Sequence, residues 1–355
     1  MRKVSLLLCC FILLSSLVSL SSCDFPIKDS DDVWFRYHLN ADETGYYVEY
    51  CNVAGRILDD KTNMVDVVIP SEYKGLPVVS ISHNAFKNSE IIRSIQIPDT
   101  IAGIDAYAFL GCTTLESIHI PKNVKRVVGL SFSLCTSLKS ITVDPENEYF
   151  CSIDGNLYTK DGSTLLLYAP GKTESKFQIP EGVSVVNSFA FNNCGSLKHI
   201  TVSSTVSELP YDAIMHCRSL GGISVDENNT TYKSIDGNLY SQDEKTFLKL
   251  CIGEPNVNLI IPDGVMSIAE NAMYFCDNII SVTIPETVKF IGENAFLHCS
   301  SLSYVAFENT SGWKAIPQSG KFSTTKVLEK SQLESPAIAA DYISEYYYCE
   351  WHREN

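Results

Sequence analysis

The sequence lacks the short motifs that many enzymes and metal proteins share. It contains no Cys-x-x-Cys, no His-x-x-x-His and nothing close to Gly-x-Ser-x-Gly, which argues against common zinc sites and a serine hydrolase elbow. It also has no run of lysine or arginine, and 27 basic residues against 42 acidic ones give a net charge of −15. Such a chain should repel nucleic acid and anionic lipid surfaces. We therefore expect no catalysis, no cofactor, no metal and no nucleic-acid partner.

Two groups of potential metal ligands have a simpler explanation. The pairs His216-Cys217 and His298-Cys299 are related by a fixed offset in sequence number, 298 − 216 = 82, so duplication of one segment accounts for both. A second group, made of four acidic residues, does not have the spacing of an EF-hand loop and suits solvated turns. Its members are Asp144, Glu146, Glu148 and Asp154.

The N-terminal segment has the pattern of a secretory signal. Arg2 and Lys3 precede an apolar stretch over residues 4–20, which is too short and wrongly flanked for a transmembrane helix. Residues 20–23, Leu-Ser-Ser-Cys, have the form of a bacterial lipobox, so we predict residues 1–22 as a signal peptide and Cys23 as the lipidation site. The alternative is a plain signal peptide with an incidental cysteine. Removing Arg2 and Lys3 changes the net charge to −15 − 2 = −17.

Residues 23–33 would then form a lipidated tether that is the only membrane contact. The acidic segment 28–32 is similar to the surface-export signals of some Gram-negative lipoproteins, although a solvated tether explains it equally simply. We expect a bacterial outer-membrane lipoprotein that faces the outside of the cell, with a periplasm-facing location as the alternative.

The remainder of the chain repeats with a short period, since Ile97-Pro98 recurs as Ile120-Pro121 and 120 − 97 = 23. One unit has Ile-Pro, then aliphatic residues, Ala-Phe, Cys and Leu, and ends in alternating aliphatic residues. A unit this short cannot bury its own apolar face, so copies must stack into a solenoid. The seven units start at Ile69, Ile97, Ile120, Ile179, Val202, Ile261 and Ile284.

A second, longer period is superimposed on the first, because Ile97 and Ile179 begin the same arrangement and 179 − 97 = 82. Residues 97–178, the first block, contain two units and a linker, and residues 179–260, the second block, repeat that arrangement. The linkers contain the first insert, at about 145–176, and the second insert, at about 227–258. Each insert has two apolar runs around a polar turn, so we predict β-hairpins that protrude from the stack.

Each unit should contribute one short parallel strand and one buried aromatic ring. Leu115, Ile118 and Ile120 show the strand alternation, and Phe109 of the Ala-Phe pair should fill the interior, contributing roughly 1.5–3 kcal/mol. Proline after the strand ends the pairing. Six cysteines occupy one fixed repeat position, and we predict buried, reduced thiols there, although the coil spacing would not forbid a disulfide. These six are Cys112, Cys135, Cys194, Cys217, Cys276 and Cys299.

Four further cysteines lie outside that repeat position, and the sequence does not pair them. They are Cys51, Cys151, Cys251 and Cys349.

The unit resembles the BspA-like, treponemal-type leucine-rich repeat. The resemblance rests on Ala-Phe-x-x-Cys-x-x-Leu at 108–115, 190–197 and 295–302, and it covers residues 45–317. It implies a leucine-rich repeat solenoid, a curved right-handed coil that is mainly β and irregular turns with few short helices. It also implies a bacterial, non-enzymatic surface protein of the adhesin or interaction type. Ile214 and Met273 replace the phenylalanine, and both remain apolar.

Caps should cover the two ends of the repeat region at residues 69–317. We predict an N-terminal cap at 34–68, in which extended segments pair with the first coil. The C-terminal cap at 318–355 should contain a helix starting at Ser335-Pro336, followed by a strand over 346–351. The apolar face of that helix is predicted to consist of Ile338, Tyr342 and Tyr346.

Two surfaces are candidates for partner binding. The strands present outward side chains that are mostly small and polar, which either bind a partner or merely tolerate solvent, while aromatic residues concentrate in the inserts. A protein of the host or of the bacterial envelope is the expected partner, with polysaccharide next and an envelope scaffold as the alternative role. The candidate contacts are Tyr149, Tyr158, Tyr232 and Tyr240 in the inserts and His119, Thr142, Thr201 and Tyr304 on the strands.

Overall fold

The computed structural model describes residues 27–28, 34–50, 65–251, 253, 257–317 and 325–354. The first half of this region consists of short strands joined by turns. Its strands are β1 (Ile27–Lys28), β2 (Trp34–Leu39), β3 (Tyr46–Tyr50), β4 (Val65–Val68), β5 (Glu72–Tyr73), β6 (Leu76–Ile81), β7 (Ile92–Gln96), β8 (Gly103–Ile104), β9 (Ser117–Ile120), β10 (Arg126–Val127), β11 (Ser140–Val143), β12 (Phe150–Ile153), β13 (Asn156–Thr159) and β14 (Thr164–Leu167).

The second half continues in the same way and ends in two helices, α1 (Lys330–Leu333) and α2 (Pro336–Glu345). A short 3-10 helix covers Tyr211–Ile214. The strands are β15 (Lys176–Gln178), β16 (Val185–Val186), β17 (His199–Val202), β18 (Gly222–Val225), β19 (Tyr232–Ile235), β20 (Asn238–Ser241), β21 (Thr246–Lys249), β22 (Val257–Ile260), β23 (Ser267–Ile268), β24 (Ile279–Ile284), β25 (Phe290–Ile291), β26 (Tyr304–Phe307), β27 (Trp313–Pro317), β28 (Lys326–Val327) and β29 (Cys349–Arg353).

The predicted parallel strand of each unit is confirmed. Strands β9 and β11 pair in parallel with partners exactly one repeat unit apart in the chain, such as Ile118 opposite Ile141. The same pairing joins β4 to β7, β15 to β17 and β18, and β22 to β24 and β26. The aliphatic residues of these strands point inward because side chains alternate along a strand.

Each coil also contains a second, shorter strand that the sequence did not suggest. Strands β6, β8 and β10 form one ladder, β14 pairs with β16, and β21, β23 and β25 form another. Most of these strands are only two residues long, so they give too few alternating positions to be recognised in the sequence. The solenoid therefore has two ladders per coil instead of one.

The interior of the solenoid is built from stacked rings, as predicted. The rings of Phe86 and Phe109 have centroids 5.1 Å apart, and those of Phe109 and Phe132 are 5.2 Å apart and nearly parallel. Beside this stack, the thiol of Cys112 donates a hydrogen bond to the carbonyl of Phe86 (3.1 Å), and Cys135 donates one to Phe109 (3.0 Å). The repeated cysteine thus satisfies a carbonyl of the preceding coil.

The burial predicted for these cysteines is largely confirmed, because five of the six are buried and Cys217 is half-buried. Their reduced state stays a prediction.

The inserts form the predicted hairpins, but the prediction that they protrude is wrong. Strands β12 and β13 are antiparallel, and β14 then runs parallel to β16 of the next coil. The backbone N–H of Ile141 donates to the carbonyl of Gly155 at the hairpin turn (2.8 Å), so the turn pairs with the edge of β11. Leu165 and Tyr168 are buried in the core. Each insert therefore replaces a coil.

The described parts of both caps contain the predicted kinds of element, although the last strand covers Cys349–Arg353 instead of 346–351, and Val65–Val68 already pairs with β7 as a strand of the first coil. Residues 51–64 and 318–324 of the predicted caps lie outside the described residues. Strands β2 and β3 form a hairpin around residues 40–45, and β3 pairs in parallel with β6. At the other end, β29 pairs antiparallel with both β25 and β27, which covers the last coil.

The C-terminal helix is present as predicted, but the predicted apolar face is not the face that it buries most deeply. Helix α2 buries Ala339, Ala340 and Ile343, whereas Ile338 is 44% exposed. Helix α2 packs against β26, and alanine allows the close approach that bulky Ile338 would prevent.

None of the described helices is long and apolar enough to cross a membrane.

Candidate functional site

The outward side chains of the long parallel strands lie in four groups, on the sheets β4–β7, β9–β11, β15–β17–β18 and β22–β24–β26, and together we call them the strand face. The hairpin turns of the two inserts pair with the edges of β11 and β18. Neighbouring strands place equivalent residues side by side, about 4.8 Å apart. One row consists of Val68, Gln96, His119, Thr142, Gln178, Thr201, Ser224, Ile260, Thr283 and Ala306, and the other of Asp66, Ser94, Ser117, Ser140, Lys176, His199, Gly222, Asn258, Ser281 and Tyr304.

Side chains on the strand face bond to one another across strands. His119 Nδ1 and Thr142 Oγ1 form a hydrogen bond of 3.0 Å, and both residues are exposed. Ser281 Oγ donates to Asn258 Oδ1 (2.7 Å). These bonds link residues of adjacent coils, so the surface is flat and its side chains are held in place. Thr201, which is half-buried, lies in the same row as His119.

An apolar patch interrupts this polar surface near its C-terminal end. Ile260 is 72% exposed and Tyr304 is 47% exposed. Ile260 lies opposite Thr283 on β24, and Tyr304 lies opposite Ser281 on the same strand, so only one strand separates the two side chains. We call this the Ile260–Tyr304 patch. Exposed aliphatic and aromatic residues on one sheet are common at interaction surfaces.

Tyr304 was predicted from the sequence, but Ile260 was missed. A signal for Ile260 was present, because the residue before Ile-Pro is polar in four other units, where it is Gln96, His119, Gln178 or Thr283. An isoleucine at that outward position cannot serve the core, since Leu259 and Ile261 already face inward.

The four tyrosines predicted in the inserts occupy different environments. Tyr149 is 42% exposed, and the Lys125 ammonium lies 6.0 Å from its ring centroid. Tyr232 is half-buried, and its hydroxyl accepts a hydrogen bond from the backbone N–H of Leu209 (2.9 Å). Tyr158 and Tyr240 are buried, with at most 2% of their surface exposed. Of these four tyrosines, Tyr149 is therefore the most accessible to a partner.

The burial of Tyr158 and Tyr240 corrects their assignment as accessible contacts. Burial, reinforced by Asp154, raises the pKa of Tyr158 to about 12. Burial, reinforced by Asp236, likewise raises the pKa of Tyr240 to about 12. Both rings serve the core because each insert replaces a coil and must supply its share of the apolar interior.

Two buried asparagines, which the sequence gave no reason to select, attach the inserts to the stack. Asn147 Nδ2 donates to the carbonyls of Pro121 (2.8 Å) and Val124 (2.9 Å), while its Oδ1 accepts from the backbone N–H of Tyr149 and Phe150 (both 2.8 Å). All the side-chain bonding positions of the amide are therefore filled.

Asn229 repeats this arrangement at the equivalent position of the second block, since 229 − 147 = 82. Its Nδ2 donates to the carbonyls of Ser203 (2.8 Å) and Val206 (2.9 Å), and its Oδ1 accepts from Thr231 (2.9 Å) and Tyr232 (2.8 Å).

Cys23 lies outside the described residues. Over the described ranges, no group of three or more His, Cys, Asp or Glu side chains has the geometry of a metal site.

Comparison with solved structures finds bacterial leucine-rich repeat proteins. A leucine rich cell surface protein from Faecalibacterium prausnitzii is 18% identical, with a TM-score of 0.45, and the match covers 81% of this chain and 96% of that one. A leucine-rich repeat protein from Eubacterium ventriosum is 16% identical, with a TM-score of 0.42 and coverage of 76% and 93%. One from Bacteroides ovatus is 22% identical, with a TM-score of 0.37 and coverage of 81% and 72%. No curated protein matches the chain.

The family model gives the more direct assignment. The BspA type leucine rich repeat region matches in six copies, over residues 59–157, 171–247 and 235–349. These ranges cover most of the chain and include the ring stack and the second insert. The chain belongs to the BspA-type leucine-rich repeat family.

Proposed function

We propose that this chain is a non-enzymatic binding protein that docks a partner protein on its strand face. The family and the repeat fold suit a protein-interaction module. The Ile260–Tyr304 patch is the observation that supports the proposal most strongly. It exposes an aliphatic and an aromatic side chain on the sheet β22–β24–β26, with Thr283 and Ser281 on the strand between them. Aromatic residues surrounded by small polar ones are common at the centres of protein interfaces.

The strand face is a better site than the inserts, where the sequence placed most of the aromatic candidates. Tyr158 and Tyr240 are buried, and the hydroxyl of Tyr232 is engaged with the backbone. Tyr149 is the one insert tyrosine of the predicted four that remains largely accessible. We therefore place the centre of docking at Ile260 and Tyr304, and His119, Thr142 and Thr201 are polar positions on more distant sheets of the strand face.

Binding measurements with matched variants test this proposal. Purified residues 24–355 would be screened by surface plasmon resonance against extracellular host proteins and bacterial envelope proteins. For a partner found in that screen, Ile260→Gln and Tyr304→Ser should each weaken binding by about tenfold or more. Val327→Gln is the control, because Val327 is 55% exposed on the terminal cap. Equal effects of all three substitutions, or none from the first two, would contradict docking on the strand face.

We further propose that the protein is an outer-membrane lipoprotein anchored through Cys23, with the repeats outside the cell. The support is the Leu-Ser-Ser-Cys sequence at residues 20–23 and the apolar segment that precedes it. Palmitate labelling that disappears in Cys23→Ala would support the anchor. Protease treatment of intact cells should remove the protein, and protection of the band beside an intact periplasmic control would instead indicate a periplasm-facing protein and an envelope scaffold role.

A further inference from the structure

A cleft opens where the second insert meets the repeat that follows it. Its volume is about 450 Å³, which lies within the range of small-molecule sites. The walls come from residues 214–218 and 274–278, and the floor comes from Lys249, Leu250 and Cys251. The cleft lies on the turns that contain the repeated cysteine and is separate from the strand face.

The floor contains a buried cation. Lys249 is only 7% exposed, and its Nζ donates one hydrogen bond, to the carbonyl of Asn271 (3.3 Å). In the part of the chain that the structure describes, no carboxylate oxygen lies within 4.0 Å of this ammonium group. An ammonium has three donors, and burying its charge without an anionic partner is unfavourable. An anionic group in the cleft would supply that partner.

The surroundings of Lys249 add further positive charge. Arg218 is exposed at the cleft wall. Burial lowers the pKa of His216, and the charges of Arg218 and Lys249 lower it further. This local positive potential contrasts with the net charge of −15 of the whole chain, so the cleft favours a small anionic group whereas the protein as a whole repels a polyanion.

Aromatic rings form the opposite wall. The Phe275 ring lies 4.9 Å from His216, 4.6 Å from Tyr274 and 4.3 Å from His298, measured between centroids. His216, Phe275 and His298 occupy the same repeat position, immediately before the cysteine, and each has a left-handed backbone with φ of 58–59°. Bulky rings are strained there, and such strain is often retained at functional sites. Other units fill that position with residues that carry no ring, namely Asn88, Gly111, Leu134 and Asn193.

The first insert provides an internal reference for the cleft. Lys249 corresponds to Leu167, since 249 − 82 = 167, and Phe275 corresponds to Asn193. At the first insert, Tyr168 packs against Phe177 (4.8 Å) and Phe191 (5.6 Å). The residues that correspond to these three rings are Leu250, Leu259 and Met273. The three residues that correspond to the aromatic cluster are therefore smaller at the second insert. In addition, the second insert region has a lysine where the first has Leu167 and an aromatic ring where the first has Asn193.

We propose that this cleft binds a sugar residue that bears a carboxylate, such as a hexuronic acid. Lys249 and Arg218 would hold the carboxylate, and the C–H groups of a sugar ring would pack against the part of Phe275 that lines the cleft. Asp277, which is exposed at the rim, would accept hydrogen bonds from hydroxyl groups, and one of its oxygens already accepts one from Ser300 (3.2 Å). A carboxylate ligand without hydrogen-bond donors would leave Asp277 facing an anion, so the lining favours an acidic ligand that also carries hydroxyl groups.

The test measures the binding of D-glucuronate to residues 24–355 by isotope-edited NMR titration, with D-glucose and benzoate as comparison ligands. Glucuronate should bind saturably, and both comparison ligands should bind at least about tenfold more weakly. Lys249→Leu and Phe275→Asn, which copy the first insert, should each weaken glucuronate binding by about tenfold or more.

The control is Lys245→Leu, which removes an exposed lysine of the same insert and should leave binding unchanged. Melting curves of all variants would show that they fold. Absence of saturable glucuronate binding, or unchanged binding in folded Lys249→Leu, would overturn the site. Equal binding of benzoate would overturn its assignment to a sugar. The strand-face variant Ile260→Gln should bind glucuronate normally, so this inference stands or fails separately from protein docking.

Discussion

The first and second blocks build nearly the same succession of strands, in which only the counterpart of β10 is reduced to an isolated bridge at Glu208. Different side chains nevertheless close their inserts against the next repeat. Tyr168, Phe177 and Phe191 form a tight aromatic cluster after the first insert. After the second insert, aliphatic side chains and Lys249 leave a cleft. The buried asparagines and the hairpin turns remain the same in both. Duplication thus preserved the bonds that attach each insert and changed the residues that line the space beside it.

The largest loss of unfolding free energy should come from substituting the two buried asparagines, which occupy equivalent positions in the two blocks. Asn147→Ala and Asn229→Ala each remove an amide that bonds to four backbone groups. Unsatisfied buried groups cost about 1–3 kcal/mol each, so each variant should lose about 4 kcal/mol or more of unfolding free energy. Urea unfolding measures this loss, and a substantial difference between the two variants would show that the inserts are not attached equivalently.

An intermediate loss of unfolding free energy is expected from substituting Tyr168, because the packing beside the insert differs between the two blocks. Tyr168→Leu gives the first insert the residue that the second has, and it removes the contacts of the ring with Phe177 and Phe191. We expect a loss of about 2 kcal/mol in unfolding free energy, together with greater accessibility of the space beside the insert. The control is Leu248→Ala in the second insert, which also shortens a partly buried side chain but removes no member of the aromatic cluster. If Tyr168→Leu is neutral, the aromatic cluster does not close the first insert.

A smaller effect, an increase in unfolding free energy, should follow from substituting Phe275. Phe275→Asn relieves a left-handed backbone at a bulky residue, and it should raise the unfolding free energy by about 1 kcal/mol. The reverse change, Asn193→Phe, should lower it by a similar amount. Thermal unfolding of both variants measures the difference. Stabilisation that coincides with lost glucuronate binding would indicate a residue retained for binding, whereas destabilisation by Phe275→Asn would show that the ring serves packing.

The smallest predicted effect concerns the ionisation of Tyr158 and Tyr240, which is measured by absorbance and should be the same in both blocks. The pKa of Tyr158 and that of Tyr240 are each raised to about 12, above about 10 for an ordinary tyrosine. Because the folded-state value is the higher one, their contribution to stability is complete below about pH 10 and is lost as the pH rises toward 12. Alkaline absorbance titration of Tyr158→Phe and Tyr240→Phe should show each missing one late-ionising group. Ionisation of either tyrosine near pH 10 in the folded protein would contradict its burial.

Much of the fold was predictable because the repeat imposes the same demand on every unit. The spacing from Ile97 through Phe109 to Cys112 specifies which side chains point inward, and the ring stack and the buried thiols confirm it. The two insert hairpins and the cap strands were also recognisable, since turn residues and alternation are local signals.

The remaining features depend on contacts between residues far apart in the chain. The alternation of apolar and polar residues around Tyr158 is the same for a hairpin that protrudes and for one that replaces a coil. Only the pairing of the insert with the neighbouring coils distinguishes these two arrangements. Helix α2 has apolar residues on two faces, and the space available against β26 selects Ala339 and Ala340 over Ile338. Lys249 could not be recognised as buried, because lysine is mostly exposed in proteins.

Photo-crosslinking on the strand face would test the central claim most directly. A photoreactive residue at Thr283, between Ile260 and Tyr304, would be compared with one at exposed Asp161 on the first insert. If the chain is a binding protein that docks a partner on its strand face, adducts should form from position 283 and disappear in Ile260→Gln. Adducts only from position 161, or adducts from 283 that persist in Ile260→Gln, would contradict it.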